Sequence, residues 1–188
     1  NSLVIILASV ISFKVVLFFT IYIFSIFIYS NTIKRLFWVS NLFSAILMIF
    51  PFLAITLYFK NFENIIFYHA GFLFFLILAR DIIKDLESFK GDWVQRYRTL
   101  PVVYNNYITK LIISTCLIFS FAPIYLLSIE DLGLMNYYLI LSVPYLMVLI
   151  IIIWISENQK MYLWCHNLIK LWILLGVLSI TLINKNFI

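Results

Sequence analysis

Asp81, Asp85, Ser88 and Asp92 fall within one narrow stripe when the chain beyond Ala79 is wound as a helix at about 100° per residue. Asp81 and Asp85 are then about one turn apart, and Asp92 stands about 10 Å beyond Asp85. Gly91 loosens the last turn, so the stripe is least firm at Asp92. Basic residues interleave with these acids: Arg80, Lys84, Lys90, Arg96 and Arg98. Between positions 80 and 110 lie ten of the 21 Asp, Glu, Lys and Arg residues, Glu87 and Lys110 among them, far more than a simple connector needs. Carboxylate oxygens with water nearby suit Mg²⁺, which takes one or two carboxylates plus phosphate oxygens and waters. Arg80, Lys84, Arg96 and Arg98 complement phosphate charge directly, arginine in bidentate fashion. Acids and bases in this mixture point to a Mg²⁺–diphosphate site. Spacing alone leaves a plainer reading standing, a solvated segment whose charges pair locally for about 0–1 kcal/mol per exposed pair.

The elements that position this stripe follow from composition. The 188-residue chain is 65% hydrophobic, 19% aromatic and 11% charged, with mean hydropathy +1.09. A water-soluble domain is nearer to a quarter charged, so lipid must cover part of this surface. The formal net charge of +5 sits in short segments between apolar runs, the way membrane topology is encoded, and argues against a nucleic-acid partner. With about 20 apolar residues needed per helix, the chain reads as spans at 15–33, 40–59, 65–79, 111–129, 134–156 and 161–183. A partial span precedes them at 2–13. The expected fold is all-α, a multi-pass transmembrane helix bundle of six full spans plus one partial, in a single domain over 1–188. The segment from about 80 to 103 is its one long polar loop. Taking alternate loops as one side collects Lys34, Arg35, the block Arg80–Arg98 and Lys160; the other side holds Lys14, Lys60, Glu63, Glu130, Asp131 and Lys185. The excess of Lys and Arg predicts that the first side, with the polar loop, is cytoplasmic. The chain begins at Asn1 inside an apolar stretch without a basic leader, which reads as an N-terminal part that is missing.

Other residues are weighed against this frame. Lys170 lies near the middle of the last span, where a charge faces a cavity or snorkels. Cys165 and His166 are adjacent rather than spaced for a metal, and with Cys116 and His69 they read as packing residues. Pro51, Pro123 and Pro144 lie within spans as tolerated kinks.

The run DIIKDLESFKGD at 81–92, followed by RTLPVV at 98–103, resembles the second aspartate-rich segment of UbiA-type intramembrane prenyltransferases. It is most similar to the branch that makes digeranylgeranylglyceryl phosphate and to its bacterial relatives. Tyr29-Ser30 to Lys34-Arg35, followed by Asn41-Leu42, resembles the family's polar junction after its fourth helix. Leu168–Gly176 resembles its last helix. The resemblance implies that the chain is the C-terminal part of a nine-helix bundle around a central cavity in the plasma (inner) membrane. There a Mg²⁺-bound isoprenyl diphosphate ionises, and a lipophilic or glycerophosphate acceptor captures the allylic cation. It implies Asp85, Lys84 and Arg98 as catalytic residues. Asp81, Asp85, Asp92 and Ser88 are implied on the metal, with Lys34, Arg35, Arg80, Tyr29, Asn41 and Lys170 toward the diphosphate.

The sequence departs from the family pattern at three places. The first aspartate motif is absent, its position preceding Asn1. Ser88 stands where the second motif has an aspartate, and Lys90 where it has an acid. Arg96 stands where a glycine precedes R-T-L-P. Ser88 and Lys90 motivate a second reading, a member that keeps the bundle without turnover. A multi-pass transporter is a third, but it would need internal symmetry that the halves do not show.

Overall fold

The computed structural model describes residues 2–130 and 132–182, with the side chain of Arg35 outside that description. Asp131 and Lys185, counted in the charge comparison above, lie outside it as well. The described chain is helical throughout: α1 Ser2–Ile11, α2 Phe13–Asn31, α3 Val39–Phe59, α4 Asn64–Val94, α5 Leu100–Val103, α6 Asn106–Phe119, α7 Phe121–Ile129, α8 Met135–Ile155 and α9 Gln159–Ser179. Short 3₁₀ turns at Ile33–Arg35 and Ile180–Leu182 complete it. Six helices are long and apolar enough to cross a membrane, α6 and α7 counting as one and the last running to Leu182, while α1 is a shorter apolar helix. The six spans and the partial one expected from the apolar runs are all present.

The helices start and stop for local reasons. Ser12 caps α2, accepting from the Val15 N–H, and Asn105 caps α6 by accepting from Ile108. Pro51 and Pro144 lie inside unbroken α3 and α8, whereas α6 gives way to α7 at Ser120. Pro123 explains that break, because it can neither donate to the Phe119 carbonyl nor fit against it. The Ser120 hydroxyl turns back to the Leu117 carbonyl at 2.6 Å.

Helix α4 is the central post. Its apolar residues Phe72, Leu76, Ala79, Ile82, Ile83 and Leu86 are buried in the main core, with α6, α7, α8 and α9 supplying Ile113, Leu117, Leu127, Leu146 and Ile169. Its other flank, Ala70 and Ile77, packs on Ala45 and Ile49 of α3. Helix α2 has no buried residue; it leans on α3 through the tilted Phe18–Phe50 pair and the stacked Tyr29–Phe43 rings. Much of the remaining surface is large exposed Leu, Ile, Val and Phe, which lipid rather than water must cover.

One expectation changes. The segment read as a loop from about 80 to 103 is helix as far as Val94, and only Gln95–Thr99 departs from helical structure before α5. The reason is packing. Ile82, Ile83 and Leu86 recur at helical spacing and are all buried, so the apolar stripe of the span carries on beneath the charges.

Candidate active site

The turns Thr32–Trp38, Gln95–Asn105 and Ser156–Asn158 gather at one end of the bundle. Phe37 and Tyr104 meet edge to face at 5.4 Å, and the Lys110 ammonium donates to the Ser156 carbonyl at 2.6 Å. At this end the acidic stripe of α4 faces the start of α3. Asn41 Nδ2 donates to Asp85 Oδ2 at 2.7 Å, and the Ser40 hydroxyl donates to Asn41 Oδ1 at 3.2 Å. That second bond fixes the Asn41 amide with its N–H edge toward the carboxylate. Asp85 Oδ1 has no hydrogen-bond partner among the described residues. Ser44, one turn along α3, is near both the Tyr29 hydroxyl and the Asp81 carboxylate. Tyr29 from α2, Asn41 and Ser44 from α3, and Asp81 and Asp85 from α4 therefore converge.

Helix α4 runs through Gly91 without a break, so Asp92 keeps its place on the stripe. The Ser88 hydroxyl donates to Asp92 Oδ2 at 2.9 Å. This engages Ser88 with a neighbouring carboxylate, the expected geometry for two residues four apart on one face. Lys84 is exposed and near enough for its charge to act on Asp81 and Asp85, Arg98 is exposed beyond the end of α4, and Lys34 is exposed on the 3₁₀ turn that leads into α3. Arg35 belongs to the same turn, its side chain outside the described residues. Lys170 is exposed on α9, one turn beyond His166 and close enough for its charge to act on that ring.

Arg96 resolves one of the departures noted in the sequence. Helix α4 ends with Tyr97 N–H bonded to the Asp92 carbonyl at 2.9 Å and Arg96 N–H to Trp93 at 3.2 Å. That pairing is a Schellman stop, whose first residue past the cap adopts the left-handed conformation and is usually glycine. Arg96 is there with φ 56°. The glycine of the family pattern thus answers a backbone requirement, and Arg96 meets it with strain. In the R-T-L-P run that follows, Thr99 is the residue preceding α5 and Pro101 sits in its first turn, where a missing N–H costs nothing.

One functional candidate escaped the sequence. His166, expected to be a packing residue, is bonded through Nδ1 to Glu87 Oε2 at 3.0 Å and through Nε2 to Arg80 Nε at 3.3 Å. Arg80 and Glu87 were seen as part of the charge block, seven residues apart on one face of α4. Their partner from α9 has no local signal. Lys110 moves the other way: buried against the end of α8, it donates to the carbonyls of Trp154 and Ser156 and does not join the stripe.

Among the described residues no three His, Cys, Asp or Glu side chains form a metal cluster. Mg²⁺ does not require one, because phosphate and water fill most of its positions. A pair of partly exposed carboxylates one turn apart, with Asp85 Oδ1 free, is an all-oxygen donor set that fits this ion. The larger cavity described, about 520 Å³, lies between α1 and α2 and is lined by Ile5, Thr20, Phe24 and Phe27 rather than by the stripe.

Six helices long and apolar enough to cross a membrane, with an acidic stripe at one end of the bundle, define an intramembrane helical protein. The chain belongs to the UbiA prenyltransferase family, whose model matches residues 2–182. Two curated relatives are named digeranylgeranylglyceryl phosphate synthase. The one from Methanosphaera stadtmanae is 32% identical over 123 residues, covering 65% of this chain and 42% of the relative. The one from Methanobrevibacter smithii is 32% identical over 91 residues, covering 46% and 32%. The chain therefore spans less than half the length of the curated relatives it matches. No solved structure matches it.

Proposed function

We propose that this chain forms the diphosphate-handling part of an intramembrane prenyltransferase. The protein moves an isoprenyl group from an isoprenyl diphosphate to a lipophilic or glycerophosphate acceptor. The bond from the prenyl C1 to the diphosphate oxygen breaks with its electron pair leaving on oxygen. The acceptor oxygen or carbon bonds to C1 and gives up its proton. Family membership and the names of the two relatives support this reading, and the Asn41–Asp85 bond of 2.7 Å carries it at the level of residues. An amide spent on holding one carboxylate oxygen leaves the other aimed at a ligand.

In this reading Asp81, Asp85 and Asp92 would hold Mg²⁺, with the Ser88 hydroxyl holding Asp92. When bound, the ion offsets charge developing on the leaving diphosphate. Lys84 and Arg98 neutralise the same charge. Lys34, Arg35, Arg80 and Lys170 draw the diphosphate in, and Tyr29 donates from the α2 side. The apolar flank of α3 and α4 below the stripe keeps water from the reacting carbon. The stripe end is the cytoplasmic end, in the plasma membrane, by its excess of Lys and Arg.

Asp85→Asn keeps the shape of the side chain and removes its charge. In the full-length protein, diphosphate release from an isoprenyl diphosphate should fall about 100-fold or more, the scale of losing one electrostatic anchor of a transition state. Its melting temperature should stay near that of the wild type. Release at the wild-type rate removes Asp85 from the site. A bundle without turnover is the second reading, favoured by the Ser88 hydroxyl occupying an oxygen of Asp92. Absence of release above background in the wild type selects it.

A further inference from the structure

We infer that His166 and Glu87 are positioning residues for Arg80, holding its guanidinium so that the terminal edge is presented to the diphosphate. The inference rests on the diphosphate reading above. Arg80 and Glu87 lie two turns apart on α4, about 10 Å along the axis, too far for a direct bond. The imidazole of His166, 7% exposed, enters from α9 and bridges them. Arg80 Nε has a proton to give and no lone pair to accept with. Nε2 of His166 is therefore the acceptor, and Nδ1 carries the proton that is donated to Glu87 Oε2 at 3.0 Å. Glu87 thereby selects the tautomer that can receive Arg80.

Holding an arginine by Nε leaves its two terminal nitrogens as the fork that suits phosphate. Here that end lies at the cleft between α3 and α4. Nη1 is 3.6 Å from Met48 Sδ and 3.7 Å from Asp81 Oδ1. The first is a bond to a thioether, a weak acceptor, and the second is a long contact to a proposed metal-binding carboxylate. Diphosphate oxygens arriving beside Asp81 meet a guanidinium that is already aimed. A free arginine side chain forfeits rotamer entropy when a ligand fixes it. In this arrangement α9 has fixed it before the ligand arrives. A clasp that merely joined α4 to α9 would have no reason to leave the fork at the cleft.

The test compares His166→Phe, Glu87→Ala and Glu87→Gln in the full-length protein, with Arg80→Gln as reference. Affinity for inorganic diphosphate in the presence of Mg²⁺ is measured beside KM and kcat. His166→Phe and Glu87→Ala should weaken diphosphate binding and raise KM about tenfold, the scale of one charge-assisted hydrogen bond. The kcat should change much less. Glu87→Gln still accepts from Nδ1–H and should stay within about threefold of the wild type. In the Arg80→Gln background His166→Phe should add less than about twofold, because coupled residues do not add. Nitrogen NMR of labelled histidine should show the Nδ1–H tautomer at position 166, lost in Glu87→Ala. Unchanged diphosphate affinity in a folded His166→Phe protein, or full additivity with Arg80→Gln, overturns the inference and leaves the prenyltransferase reading intact. A wild type that binds diphosphate through this triad but transfers no prenyl group does the reverse.

Discussion

On the proposed reading Asp85 is the residue on which the site turns, and its neighbours show how one carboxylate is made ready. Asn41 holds Oδ2 and is itself held by Ser40, so the free oxygen has a direction before any ligand arrives. Ser88 shows the contrary arrangement, a hydroxyl spent on Asp92. Replacing it with aspartate adds a fourth carboxylate to the stripe and removes that bond. Ser88→Asp should tighten Mg²⁺ binding several-fold, read by titrating Mg²⁺ against diphosphate release; weaker binding would show that repulsion from Asp92 dominates. The acidic stripe was legible in the sequence because all its members lie within a dozen residues of one helix. The bonds that finish it were not. Asn41 and Asp85 are 44 positions apart, and Arg80 and His166 are 86 apart. Nothing in local spacing reports on such pairs, although the family resemblance pointed to Asn41.

At the scale of elements, the ends of helices decide where the charges stand. The left-handed backbone at Arg96 closes α4 two residues before Arg98. A non-glycine residue in that conformation costs about 1 kcal/mol. Arg96→Gly should therefore raise the melting temperature by about 2–4 °C. A lower value would mean that the arginine side chain makes a contact worth more than the strain. Lys110 works at another end. Its ammonium satisfies the Trp154 and Ser156 carbonyls where α8 stops. Lys110→Met leaves the Trp154 carbonyl unpaired, while the Ser156 carbonyl keeps the Tyr162 hydroxyl at 2.9 Å, and should cost about 1–2 kcal/mol in denaturant unfolding in detergent. Equal stability would sink this role. The spans were readable from apolar length alone, down to the partial α1. The extension of α4 was hidden, because charge density suggests a loop and only the buried Ile82, Ile83 and Leu86 reveal a helix. Lys110, counted with the charge block by its number alone, is turned away from the stripe by its helix.

At the scale of the molecule, the two ends of the bundle must lie in different compartments. Lys60, in the α3–α4 turn, and Lys90, on the stripe end of α4, are both exposed. Both native cysteines, Cys116 and Cys165, are buried, so the background for thiol labelling is low. Lys90→Cys should react with a membrane-impermeant maleimide only in inverted vesicles, and Lys60→Cys only in right-side-out vesicles. The opposite pattern would reverse the orientation inferred from charge. The length of α4 has a consequence for this end. Its 31 residues extend about 46 Å, whereas the hydrocarbon layer measures about 30 Å. The surplus stands clear of the acyl chains like a mooring post. On the proposed reading, a reactant with a greasy tail and a polar head ties up there, its tail still dissolved in oil and its head already wet. Neither half has to enter the other's solvent for the two to meet at Asp85.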